Sequence, residues 1–252
     1  MPGKIHKTKG IVLRMVKYGE TSVIITAFTE LFGLQSYIVS GVRTSSKKGG
    51  TKASLFQPAA ILDLVVYHNE LKPLNRVREY RWSYLYRHIF SDVRKNAVAV
   101  FMVELMQKCL KQPEANSDLY HFFEDAFIHL DESEGTVMAN FALFFSLQLT
   151  QFFGLKPQIA PKTAAEVSGL VFDLKEGEFT HVKPDHPHFI EGKPAEVTNE
   201  LLKVMQPAEL ESIKLNQDFR RRLLYAYEMY YALHIPDFGP MKTLPVLSEV
   251  LS

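Results

Sequence analysis

Four cations and no acid stand in the stretch SGVRTSSKKGGTKASLFQP, residues 40–58: Arg43, Lys47, Lys48 and Lys52, set among three glycines, four serines and two threonines. Side chains of this kind neutralise phosphates; they do not make or break bonds. Each glycine raises the entropic cost of ordering the backbone, and Lys47 beside Lys48 adds repulsion, so folding alone gives little reason for the composition. Lys7, Lys9, Arg14 and Lys17 form a second basic group earlier in the chain. Tyr18, Phe32 and Tyr37 lie between the two groups, and such rings either stack on the bases of a single strand or fill a core.

Bond-making chemistry has less support. The sequence holds no Walker phosphate loop, no GxGxxG after a strand, no GxSxG elbow and no HExxH. The runs FFEDAF and DESE bring carboxylates together, as metal-dependent nucleases do, although acidic runs more commonly cap or solvate helix ends. Cys109 is the one cysteine and sits in an apolar helical pattern; it reads as core, leaves no intrachain disulfide or cysteine zinc site, and fits a reducing, cytoplasmic setting. In HVKPDHPHF, His181, Asp185, His186 and His188 have the donor atoms for a metal. Histidines two apart share a side only on a strand, and Pro187 works against pairing, so a metal-free proline loop is expected. No cofactor is implied.

The elements that would carry the cations follow from periodicity. From Gly10 to Tyr80 the pattern has period two: GIVLRMVKYG sets Ile11, Leu13 and Met15 on one face, then come ETSVIITAFTE, LFGLQSYIVSGV, LFQPAAILDLVVYH and LKPLNRVREY, with Pro58 and Pro73 better tolerated at edges. Five short strands in so short a span suit an OB-type barrel, in which the first strand and the basic loop can share a rim. Beyond Tyr80 the period becomes helical. Val98, Phe101, Met102, Leu105 and Met106 keep three-and-four spacing; Asn116 or Ser117 caps a second helix, and Gly154 stops a third.

Residues 156–195 form an irregular, proline-rich insert with a short hairpin turning at KEGE. Helix returns at PAEVTNELLKVM, PAELESIKL and NQDFRRRLLYAYEMYYALHI, and the final PDFGPMKTLPVLSEVL reads as an extended tail. The expected class is therefore α+β: a five-stranded OB barrel over 1–81 and a helical bundle with a small hairpin insert over 82–252.

Charge divides along the same line. Residues 1–81 hold 13 Lys and Arg against 5 Asp and Glu, and the remainder holds 16 against 23, although the whole chain is only +1. A basic first third implies a polyanionic partner. The apolar run MANFALFFSLQLTQFFGL is interrupted by Asn140, Ser146, Gln148, Thr150 and Gln151, so no membrane span is expected, and MPGKIHKTKG has no apolar region behind its charges to direct secretion.

The segment KGIVLRMVKYGETSVIITAFTELFGLQSYIVSGVR, with LFQPAAILDLVVY and LNRVREY after it, resembles the N-terminal OB domain of the RecO recombination and repair family, and RRRLLYAYEMYYALHI with MKTLPVL is similar to that family's last helix and tail. YGETS, FTELFG and SGVR are the most specific parts. The resemblance implies a non-catalytic, bacterial, nucleoid-associated mediator that binds and anneals single-stranded DNA, engages single-stranded-DNA-binding protein (SSB) and RecR, and promotes RecA loading on gapped DNA; duplex binding stays open.

On that resemblance, the cations of the first strand and the basic loop become DNA contacts. Arg87, Arg94, Lys95, Lys108 and Lys111, beside Phe101, Met102 and Leu105, become the expected slot for the acidic SSB tail. The sequence departs from many relatives in lacking the four cysteines of a zinc ribbon in AAEVSGLVFDLKEGEFTHVKPDHPHF. From the residues alone, an OB-fold RNA-binding factor of translation or RNA metabolism stays the alternative.

Overall fold

The computed structural model describes residues 4–43, 52–160 and 169–251. They divide into two compact units, Met1–Arg87 with Met106–Ile128, and His88–Leu105 with His129–Ser252. The expected border after residue 81 is sequential, whereas these units interleave. Residues 106–128 go with the strands because the Gln107 side chain donates to the Leu13 carbonyl at 2.6 Å and the Phe28 ring meets Tyr120 and Phe123.

In the first unit, β1 (Lys4–Tyr18), β2 (Ser22–Thr29), β3 (Gly33–Val39), β4 (Ile61–His68) and β5 (Asn75–Trp82) form a closed barrel in the order β1-β2-β3-β5-β4. This is the expected five-stranded OB type. Its seam is short: β3 and β5 run parallel and pair only at Tyr37 with Asn75 and Ile38 with Arg76. Pro58 and Pro73 fall outside β4 and β5, where no ladder N–H is lost.

The strict alternation expected of β1 fails at its centre. Ile11, Val12 and Leu13 are all buried, and the register to β2 shifts between Val12 and Arg14. Such a bulge re-aims the strand, and beyond it Arg14 and Val16 are exposed. At the β2–β3 turn Gly33 has φ +61°, and a Cβ there would come 2.1 Å from the Glu114 carbonyl oxygen. Only glycine fits that approach.

The first two helices begin on side-chain caps. For α1 (Val93–Cys109), the Asp92 carboxylate accepts from the N–H groups of Lys95 and Arg94, and these bonds hold its carboxyl below the usual range. For α2 (Ser117–Glu132), Asn116 accepts from Leu119 N–H.

The second unit is built on α3 (Gly135–Leu149), which packs against α4 (Lys193–Lys203), a 3-10 turn (Pro207–Ser212) and α5 (Gln217–His234). Gly135–Phe153 is long and apolar enough to cross a membrane, yet 67% of that stretch is buried. Polar residues in this run find partners: Asn140 donates to the Ile213 carbonyl, Gln148 to Val204, Ser146 to Ala142 and Thr150 to Leu147.

Two expectations are corrected here. Residues 207–212 form a 3-10 turn, closed by a capping box between Gln206 and Glu209. The tail is not extended but forms α6 (Thr243–Val250). Pro245 lies in its first turn, where the missing N–H has no partner to lose, and the Glu104 carboxylate accepts from Lys242 N, Thr243 N and Thr243 Oγ1.

The insert carries the expected hairpin, β6 (Val171–Asp173) with β7 (Glu178–Thr180), and adds β8 (Phe189–Glu191) on the other side of β6. Pro187 stands just outside β8. His186 Nε2 lies 3.3 Å from the Asp173 carboxylate, and His188 N–H donates to His186 Nδ1. Among the described residues no group of three or more His, Cys, Asp or Glu is arranged to hold a metal.

Candidate nucleic-acid interface

Strand register defines which barrel residues share a surface. Around the outside runs one row, Val16–Ile24–Ile38–Arg76–Tyr67–Ile5, each member paired to the next across neighbouring strands. All six are exposed or half-buried, whereas the next row inward contains Ile25, Tyr37 and Asn75, which are buried. A second outward row, Arg14–Thr26–Ser36, lies alongside. The result is a partly exposed apolar band on β2 and β3, bracketed by Arg14 and Arg76.

One end of this band is further supplied with cations. Arg43 Nη1 donates to the Gly19 carbonyl at 2.6 Å and its N–H donates to Thr21, so Arg43 is fastened to the β1–β2 turn beside Lys17 and Tyr18. Gly19 has φ +57°, a conformation glycine takes without strain. Lys52 opens the 3-10 turn Lys52–Phe56, which Ala53 N–H ties to the Val42 carbonyl. Among the described residues Arg14, Lys17, Lys52 and Arg76 enter no ion pair. Tyr18 is 51% exposed. Lys47 and Lys48 lie outside the described residues.

The other expected barrel cations have different surroundings. Lys9 Nζ lies 2.9 Å from the buried Glu124 carboxylate, whose hydrogen bond raises the lysine's pKa above the ordinary value. With Lys7 and Arg81 it lines a groove of about 550 Å³ that also holds Glu30, Asp63 and Glu79. Arg81 pairs with Asp63 at 2.9 Å. Lys9 is thus already matched by an acid, unlike Arg14 and Lys17 among the described residues. Of the aromatic candidates, Tyr37 is wholly buried, and burial pushes its phenol well above the usual range. Phe32 stacks on His68 with ring centres 3.8 Å apart.

The expected tail slot is not assembled within either unit. Arg87, Lys108 and Lys111 belong to the first unit; Arg94, Lys95, Phe101, Met102 and Leu105 belong to the second. Lys95 is buried and its Nζ donates to the Asp131 carbonyl at 2.6 Å, while Phe101, Met102 and Leu105 are core residues at 2% exposure or less. Arg87, Arg94 and Lys111 are exposed and Lys108 is half-buried.

Arg76 was missed in the sequence. It enters the band only through the parallel seam, a pairing of residues far apart in the chain. The one available signal was the OB topology itself, whose nucleic-acid face lies on strands two and three.

Comparison with known proteins bears on the whole chain. The family model described as "Recombination protein O N terminal" matches residues 1–86, and "Recombination protein O C terminal" matches 91–245. A curated protein of Christiangramia forsetii named DNA repair protein RecO is 33% identical over 98% of both chains. Proteins of the same name from Bacteroides fragilis and Phocaeicola vulgatus are 32% and 31% identical over 98% of this chain and 99% and 100% of theirs. With both halves of the family pattern spanning a barrel and helices of the expected kind, the chain belongs to the RecO family.

Proposed function

We propose that this chain is a non-catalytic DNA-repair protein that binds and anneals single-stranded DNA across the outer face of β2 and β3. The observation that carries the reading is the apolar band Val16–Ile24–Ile38 bracketed by Arg14 and Arg76, with Lys17 and Arg43 at the β1–β2 turn. Cations neutralise phosphates at the rim while bases lie on apolar and aromatic surface, Tyr18 among it. Exposed cations without acid partners leave a positive potential over this face, which favours a role in binding a polyanion. The names of the relatives, all DNA repair proteins, support DNA over RNA as the polyanion.

Family membership extends the proposal to a cytoplasmic mediator at the nucleoid that engages SSB and RecR and promotes RecA loading. The helical residues 82–252 are the proposed partner of the acidic SSB tail, with Arg94 the exposed cation of the expected set in the second unit. Competition between a single-stranded DNA and a structured RNA for the full chain tests the central reading. DNA should win clearly; preference for the RNA would favour the RNA-binding alternative.

A further inference from the structure

Three consecutive arginines, Arg220, Arg221 and Arg222, stand near the N-terminus of α5. That end carries the positive pole of the helix dipole, where cations are disfavoured. Arg221 is matched by Asp218 at 2.9 Å. Arg220 is different. Its Nη1 donates to the Leu215 carbonyl at 2.6 Å, its Nε is shut off from solvent and meets no acceptor, and desolvation lowers its pKa. No carboxylate pairs with it among the described residues. A guanidinium held partly out of water without a counter-charge costs stability, and one carbonyl bond is a small return.

The same side chain lines a cavity of about 530 Å³ together with Thr136, Lys214 and Asn216. Lys214 donates to Thr136 Oγ1 at 3.1 Å and to Glu211 at 2.8 Å, whereas Arg220 meets no carboxylate among the described residues. With Nη1 committed to Leu215 and Nε shut off from solvent, Nη2 is the guanidinium nitrogen left to donate to an oxyanion in the cavity that Lys214 also lines.

We propose that this cavity is an oxyanion site of the second unit that takes a backbone phosphate of single-stranded DNA, donated to by Arg220 and Lys214. The proposal rests on the reading of the chain as a single-strand binder and adds a contact outside the barrel.

The experiment is a salt titration of the full chain with a single-stranded homothymidine oligonucleotide, followed by fluorescence anisotropy, for the parent, Arg220→Met and Lys214→Ala. Each variant should bind severalfold more weakly at low salt and flatten the log–log salt slope by about 0.7. Arg220→Met should also melt no lower than the parent, because it exchanges an unmatched, desolvated charge for an apolar chain of similar length. Unchanged affinity and slope in both variants overturn the site, as does loss of binding to an acidic peptide with DNA binding intact. An Arg14/Lys17/Arg76 triple variant run in parallel separates the two ideas. If it loses DNA while the two cavity variants do not, only this site falls; if the parent itself fails to bind, the barrel reading falls with it.

Discussion

In the first half of β1, Lys9 sits against Glu124, and Lys7 shares a groove with Glu30, Asp63 and Glu79; in the second half, Arg14 and Lys17 meet no acid among the described residues. The bulge after Val12 separates the two halves and turns the second toward β2. Residue type alone therefore does not decide what a cation does. A lysine matched by a buried carboxylate holds the fold, and an arginine left unmatched on an apolar band is placed to meet a ligand. On the proposed reading, only part of the chain's basic character is available to a polyanion.

The strongest way to break the contrast is to remove the unmatched set. Arg14→Ala, Lys17→Ala and Arg76→Ala together should weaken single-strand binding at least about tenfold near physiological salt and flatten the log–log slope by roughly 2. Thermal stability should barely change, since none of the three enters an ion pair among the described residues. A slope equal to the parent's would remove these residues from the interface.

The matched half should respond in the opposite way. Lys9→Ala leaves Glu124 buried without its cation, and the loss should be about 1–2 kcal/mol. It stays below the roughly 3–5 kcal/mol of a fully buried pair because the Lys9 side chain is 40% exposed and screened by solvent. Urea unfolding measures this, with the salt slope for DNA kept. Loss of DNA affinity without loss of stability would reverse the assignment of Lys9.

A smaller effect sharpens the same end of the barrel. His68 is buried at the end of β4 between Phe32 and His6, and burial first, then the charge of His6, lowers its pKa, with Glu70 opposing. Its folded-state pKa therefore lies below the ordinary value of about 6.5. The stability it contributes is present above about pH 6.5 and is lost as the pH falls through that value toward the folded one. Melting curves should show His68→Phe losing less stability than the parent between about pH 8 and about pH 5. Equal losses would show that His68 protonates as freely in the fold as outside it. Lys7→Ala should do least, within about 0.5 kcal/mol in stability and with no change of slope.

Much of the barrel was legible because period-two alternation is local: five strands, the positions of Pro58 and Pro73, and the caps Asn116 and Gly154 all follow from neighbours in sequence. What the sequence hid is non-local. The Lys9 partner is 115 residues away, and the Lys95 acceptor 36 residues away, so the pairing of one and the burial of the other cannot be read from composition. Arg76 joins the band through a two-pair seam that no local pattern announces. The tail misled for a local reason: Pro245 marks a break within a helix but is harmless in a first turn that Glu104 caps.

The central claim is about which face of the barrel meets the strand, and methyl NMR of the full chain titrated with a homothymidine oligonucleotide tests it most directly. The account predicts shifts at Val16, Ile24 and Ile38 along the outward row, with Val65 in the mixed-charge groove unmoved. Shifts at Val65 while Val16, Ile24 and Ile38 stay in place would contradict it.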